Sequence, residues 1–147
     1  MIIRRAKPEE YKVIAGFQQK MAMETENLEL NTETILQGVK AVFDEPAKGQ
    51  YFIVENDGKV IASLLTTYEW SDWRNSTILW IQSVYVLPMY RETGIFKNMY
   101  NYIKKIVKEN SRYCGLRLYV DKSNTLAQKV YKNLGMTNEH YELFEEM

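Results

Sequence analysis

At 147 residues, 46% of them hydrophobic, the chain is expected to be one domain over 1–147 with a single sizeable core. Nineteen basic residues balance nineteen acidic ones, and the absence of net charge argues against nucleic acid as a main partner, since affinity there comes from many phosphate contacts. The sole cysteine, Cys114, excludes an internal disulfide and reads as a small buried hydrophobe, and no apolar run suits a signal peptide or a membrane span, so a cytoplasmic protein is expected.

Ile2 to Arg5 reads as a first strand. Pro8, followed by Glu9 and Glu10, opens a helix on which Tyr11, Ile14, Phe17 and Met21 share a face. After a polar break at Glu24 to Glu29, Asn31 or Thr32 can cap a second helix with Ile35, Leu36, Val39, Val42 and Phe43 on its apolar side, ended by Pro46 and Gly49. From Gln50 the period changes to that of strands. Tyr51 to Val54 and Val60 to Tyr68 flank Asn56-Asp57-Gly58, a strong hairpin cue. Val60 to Leu65 and Ile78 to Ile81 are apolar at both parities, so the sheet needs cover on both faces. The intervening stretch Glu69 to Asn75 reads as a linker carrying Trp70, Trp73 and two carboxylates. It suits an acceptor surface for a cationic amine, a packing plug or a dimer contact.

The organising stretch is Ile81 to Asn101. A β-branched run reaches Pro88, a polar turn with Gly94 follows, and from Ile95 the period becomes helical, with Ile95, Phe96, Met99, Ile103, Ile106 and Val107 on one stripe. A strand, tight loop and helix in this order aim backbone N–H groups and the positive helix end at one small volume, a ready anion site. Leu116 to Val120 reads as a further strand, parallel to the one before the helix because a crossover joins them. Asp121 to Asn124 starts a short helix bearing Leu126, Ala127, Val130, Tyr131 and Leu134 and closed by Gly135; a last strand runs from Met136 through Tyr141 to Phe144. The result is a mixed α/β layout around one sheet.

Two stretches carry a family resemblance. Val84-Tyr85-Val86-Leu87-Pro88 with Arg91-Glu92-Thr93-Gly94-Ile95-Phe96 resembles the pyrophosphate motif of the GNAT superfamily, the acyl-CoA-dependent N-acyltransferases, which reads Arg/Gln-x-x-Gly-x-Gly/Ala. Phe96 stands where that pattern has a small residue, and either crowds the cofactor or points into the core. Asn124 through Tyr131-Lys132-Asn133-Leu134-Gly135-Met136 is similar to the second signature of that family, in the expected order and separation. The resemblance implies the GNAT fold: a mixed, mostly antiparallel central sheet with one splayed parallel strand pair and helices on both faces.

The resemblance further implies an N-acetyltransferase that moves acetyl from acetyl-CoA to a primary amine, on a small molecule or on a peptide or protein, by direct attack in a ternary complex. Under it, the backbone of Val84, Tyr85 and Val86 pairs with the pantetheine arm, the Val84 N–H stabilises the oxyanion, and the N–H groups from Arg91 through Glu92, Thr93, Gly94 and Ile95 to Phe96 hold the pyrophosphate. Tyr131 matches the general-acid tyrosine, with a core tyrosine as the plain alternative, and Asn124 a cofactor-side polar position that can also cap its helix. The glutamate base of some relatives is replaced by Gln82, which cannot act as a base, leaving Glu69, Asp72, His140 or a water chain. No metal and no membrane partner are expected, and a homodimer is the assembly to test. The rival reading is a catalytically silent acyl-CoA-binding sensor or partner module.

Overall fold

Two adjacent core residues show how the sheet is covered: Ile53 is fully buried and Phe52 nearly so, although neighbours on a strand point to opposite faces. Ile53 and Tyr51 pack with Ile14 and Ala15 of helix α1 (Tyr11–Glu26) and Val39 of helix α2 (Thr32–Asp44). Phe52 meets Tyr102 of helix α3 (Ile95–Glu109) edge to face at 5.9 Å. Burying such a side chain contributes roughly 1.5–3 kcal/mol, so the double cover expected from the apolar runs is what holds the sheet.

The computed structural model describes all of residues 1–147. Residues Met1–Arg117 form one compact unit and Leu118–Met147 another. In the first unit the sheet order follows the chain: β1 (Ile2–Arg5), β2 (Gln50–Asn56), β3 (Lys59–Ser71), β4 (Ser76–Val86) and β5 (Tyr113–Arg117). The first four strands run antiparallel to one another in sequence, and β5 pairs with β4 in parallel. This is the mixed sheet with a single parallel pair, flanked by helices on both faces, that the resemblance implied.

Local chemistry accounts for the element ends. Asn56 pairs with Lys59, and the two residues between them, Asp57 at φ 49° and Gly58 at φ 75°, make the primed turn that suits strand twist. Asn31 caps α2 by accepting from the Thr34 N–H at 2.9 Å. Pro8 opens α1 through a short 3-10 turn, Pro8–Glu10. In the second unit, helix α4 (Thr125–Asn133) ends in a Schellman motif: the Met136 N–H donates to the Tyr131 carbonyl and the Gly135 N–H to that of Lys132, with Gly135 at φ 94°. The Leu-Gly-Met ending is therefore a helix stop.

Four expectations are corrected. The stretch Glu69 to Asn75 is no linker. Tyr68 to Ser71 pair with Leu79 to Ser76, and only a four-residue turn remains, with Asn75 at φ 47°. The fifth strand runs over Tyr113–Arg117 rather than Leu116 to Val120, because its register begins at Thr77, opposite Tyr113. No strand forms from Met136 to Phe144. Tyr141, Leu143 and Phe144 are exposed, and an alternating pattern makes a strand only where a ladder receives it. Cys114 is exposed, since it lies on β5, the last strand of the sheet, with only β4 beside it.

Candidate functional site

The site begins with an interruption in β4. Its pairing with β3 runs regularly from Ser76 to Gln82, opposite Leu65, and resumes at Tyr85, opposite Ser63, so Ser83 and Val84 together face Leu64 alone. Ser83 takes φ 51°. This is a β-bulge, which breaks the ladder and re-aims the backbone. On the other side the parallel ladder stops at Trp80 opposite Arg117, where β5 itself ends, while β4 continues to Val86. The backbone of Gln82 to Val86 thus has an edge that β5 does not use. Such an edge can pair with an extended ligand.

Beyond Val86 the chain leaves the sheet through a 3-10 turn, Pro88–Tyr90, and a loop that is exposed from Arg91 to Gly94. Glu92 at φ 62° and Gly94 at φ 83° are both left-handed, and the Thr93 hydroxyl donates to the Tyr90 carbonyl. Buried Ile95 anchors the start of α3, whereas the cap residue, Gly94, has no side chain. The leading N–H groups of the helix, that of Ile95 first, therefore face the loop with no cap side chain to accept from them. A Cβ on Gly94 would meet no atom within 4 Å, so its backbone conformation, not crowding, is what calls for glycine. The half-buried Phe96 lies beside Tyr100, one turn on, at 6.4 Å between ring centroids.

Three side chains knit these parts together. The Arg91 Nε donates to the Val86 carbonyl at 2.8 Å, its Nη2 to Glu24 Oε2 at 2.7 Å, and the guanidinium lies over the Tyr85 ring at 5.3 Å. The Tyr85 hydroxyl donates to Glu24 Oε1 at 3.0 Å, and its ring packs on Phe17 at 5.2 Å. The Arg91 hydrogen bond holds the Glu24 carboxyl below its usual range, and burial, with Glu24 second, pushes the Tyr85 phenol up. Glu24 escaped the sequence reading because it sits in a polar stretch with no motif. Only tertiary folding brings the last turn of α1 to Tyr85.

The candidate bases fare unequally. Glu69 is engaged by Trp80 Nε1 at 2.7 Å and by Arg117 Nη1 at 2.9 Å, and these partners, Trp80 first, lower its pKa. Its register partner is Ile78, six residues before Val84. That is roughly 20 Å along a strand. Asp72 and Trp73 sit at the far hairpin turn, Trp73 93% exposed, and Gln82 donates to Thr67 Oγ1 at 2.6 Å. His140 is exposed and outside any strand.

In the second unit, Asn124 caps α4, its Oδ1 accepting from the Ala127 N–H at 3.1 Å. Tyr131 lies two turns further along the same helix face, half-buried, and burial raises its pKa, so the phenol stays protonated at neutral pH. No group of three or more acidic, histidine or cysteine side chains could hold a metal ion, and no helix is long and apolar enough to cross a membrane.

A strand that loses its parallel neighbour and runs through a tight loop into an uncapped helix start is the strand, loop and helix expected at the first signature, to which the structure adds the bulge, and the comparison with known families agrees. Residues 17–136 match the family model described as the acetyltransferase (GNAT) family. The chain belongs to the GNAT family. A solved structure, a possible acetyltransferase from Clostridium difficile 630, is 42% identical, with a TM-score of 0.93 over 99% of this chain and 96% of that one. Two more distant GNAT-like structures share the fold. One is a predicted acetyltransferase with acetyl-CoA from Clostridium acetobutylicum, 20% identical, TM-score 0.75, covering 97% and 95% of the two chains. The other is the ribosomal-protein-alanine N-acetyltransferase from Brucella melitensis biovar Abortus 2308, 12% identical, TM-score 0.81, covering 99% and 98%. No curated protein matches.

Proposed function

We propose that this GNAT protein is an N-acetyltransferase that moves the acetyl group of acetyl-CoA to a primary amine by direct attack. The bulge at Ser83 and Val84, on a strand edge that β5 leaves unused, carries this reading. It fits an extended amide-bearing arm, and the loop from Arg91 to Gly94 with the uncapped start of α3 fits a pyrophosphate. The C. acetobutylicum relative, whose structure contains acetyl-CoA, supports the choice of cofactor.

Acetyl-CoA, when bound, supplies an activated acetyl thioester. The backbone of Val84, Tyr85 and Val86 holds the arm, and the N–H groups from Glu92 to Phe96 hold the phosphates, that of Arg91 being taken by the Pro88 carbonyl at 3.2 Å. The Val84 N–H donates to the thioester oxygen and stabilises the negative charge that forms there as the amine nitrogen attacks the carbonyl carbon. By the family resemblance, the Tyr131 hydroxyl would supply the proton that the sulfur needs when the carbon–sulfur bond breaks, a role that its raised pKa suits by keeping the phenol protonated. The incoming ammonium gives up one proton to water before the neutral amine attacks, because Glu69 is already engaged by Arg117 and Trp80 and Gln82 has no basic group.

Titration calorimetry with acetyl-CoA, with CoA and with an adenine nucleotide lacking the arm tests this reading. Micromolar binding that requires the arm is the expected result, followed by acetylation of amines in an acceptor screen. Absence of binding would overturn it in favour of a partner module.

A further inference from the structure

Glu24 occupies a place that its own helix does not favour. It lies in the last turn of α1, at the negative end of the helix dipole, and that turn contains no basic residue. Its compensation comes from elsewhere in the chain, from Arg91 at 2.7 Å and the Tyr85 hydroxyl at 3.0 Å. Those residues lie on either side of the β4 exit, and Arg91 also donates to the Val86 carbonyl. Lys20, one turn back on the same helix, adds a charge contribution, but the hydrogen bonds to the carboxylate come from the candidate site, and a local rule broken and compensated there is a mark of function.

We infer that Glu24 is a positioning residue for the cofactor loop: its two carboxylate oxygens hold the Tyr85 hydroxyl and the Arg91 guanidinium together, fixing the loop that leads into α3 against the end of β4. The ring of Tyr85 is itself fixed, buried against Phe17 and lying beneath the guanidinium. A guanidinium has five N–H donors. Glu24 and Val86 each take one, which leaves further donors that a ligand phosphate could use. Glu24 therefore orders Arg91 without exhausting it. The inference rests on the acyl-CoA reading of the loop.

A rival account, in which Glu24 merely competes with phosphate for Arg91, makes the opposite prediction. Under it, removal of the carboxylate would tighten the binding of a polyanion. Under positioning, Glu24→Ala should weaken acetyl-CoA binding in calorimetry by about three- to tenfold, the scale of one water-screened charged hydrogen bond. Glu24→Gln should fall between Glu24→Ala and the wild type. KM for acetyl-CoA should rise with kcat nearly unchanged. In the ligand-free protein the amides of Arg91 to Gly94 should exchange hydrogen faster in Glu24→Ala. In a double-mutant cycle, Glu24→Ala and Arg91→Ala should be less than additive, since each breaks the same contact. Unchanged or tighter binding, unchanged exchange or strict additivity would each overturn the inference. If the wild type fails to bind acetyl-CoA, the acyl-CoA reading falls, while the ligand-free exchange still tests the hold of Glu24 on the loop.

Discussion

Gly94 offers a substitution pair that separates backbone strain from charge. At φ 83° any other residue is strained, but a Cβ there would meet nothing within 4 Å. Gly94→Ala should therefore cost about 1–2 kcal/mol of stability, the cost of a left-handed residue with a Cβ, and weaken acetyl-CoA binding only slightly. Gly94→Glu carries the same strain and adds a carboxylate beside the phosphates. With two phosphate charges about 5–6 Å away in a water-like dielectric, the repulsion is about 1.5 kcal/mol, or about tenfold in affinity relative to Gly94→Ala. Calorimetry on both variants at low salt should show that gap, and it should shrink near 1 M salt, where the screening length falls to about 3 Å. Thermal melts should show the two variants equally destabilised. Equal affinity for acetyl-CoA in the two variants would refute the placement of the phosphates at this loop.

Tyr131→Phe should lower turnover by about 100-fold or more while acetyl-CoA affinity stays near wild type, as measured by steady-state kinetics beside calorimetry. Because burial raises the Tyr131 pKa, wild-type turnover should persist as pH rises and decline only above the ordinary tyrosine value of 10.0. Gly49→Ala should destabilise by about 2 kcal/mol or more in urea unfolding. The new Cβ would lie 2.6 Å from the Thr66 carbonyl oxygen and 2.9 Å from Leu65 Cδ1, a clash with backbone that cannot move aside. Glu10, bound through both oxygens to Arg4 at 2.9 Å, has its pKa lowered chiefly by that contact. A carboxyl depressed in the folded state stabilises above its unfolded value of 4.5 and loses that contribution as pH falls through its folded pKa. Urea midpoints should thus fall steeply below about pH 4.5, and less steeply in Glu10→Gln.

Much of the scaffold was legible because its signals are local. Asp57-Gly58 dictates a two-residue primed turn, Asn31 caps the helix that follows it, and Gly135 stops the last helix, each through backbone preferences confined to a few residues. The double-faced apolar runs of β3 and β4 likewise announced their covering helices. Signals failed where a segment depends on what lies beside it. Tyr141 to Phe144 alternates like a strand yet forms none, Cys114 has the size of a core residue but lies on a strand with one neighbour, and the pattern around Glu69 gave no sign that the hairpin arms extend to Ser71 and Ser76.

The candidate site divides in the same way. The sequence by itself determined the strand-loop-helix at Val84 to Phe96 and the helix bearing Asn124 and Tyr131, because glycine positions, caps and periodicity are written in consecutive residues. Tertiary structure alone decided that Ser83 and Val84 bulge against Leu64, that the parallel ladder stops at Trp80, and that Glu24 reaches Tyr85 and Arg91 across more than sixty residues of chain. Strand register and the meeting of distant charges depend on how whole elements pack. No short window of sequence contains that information.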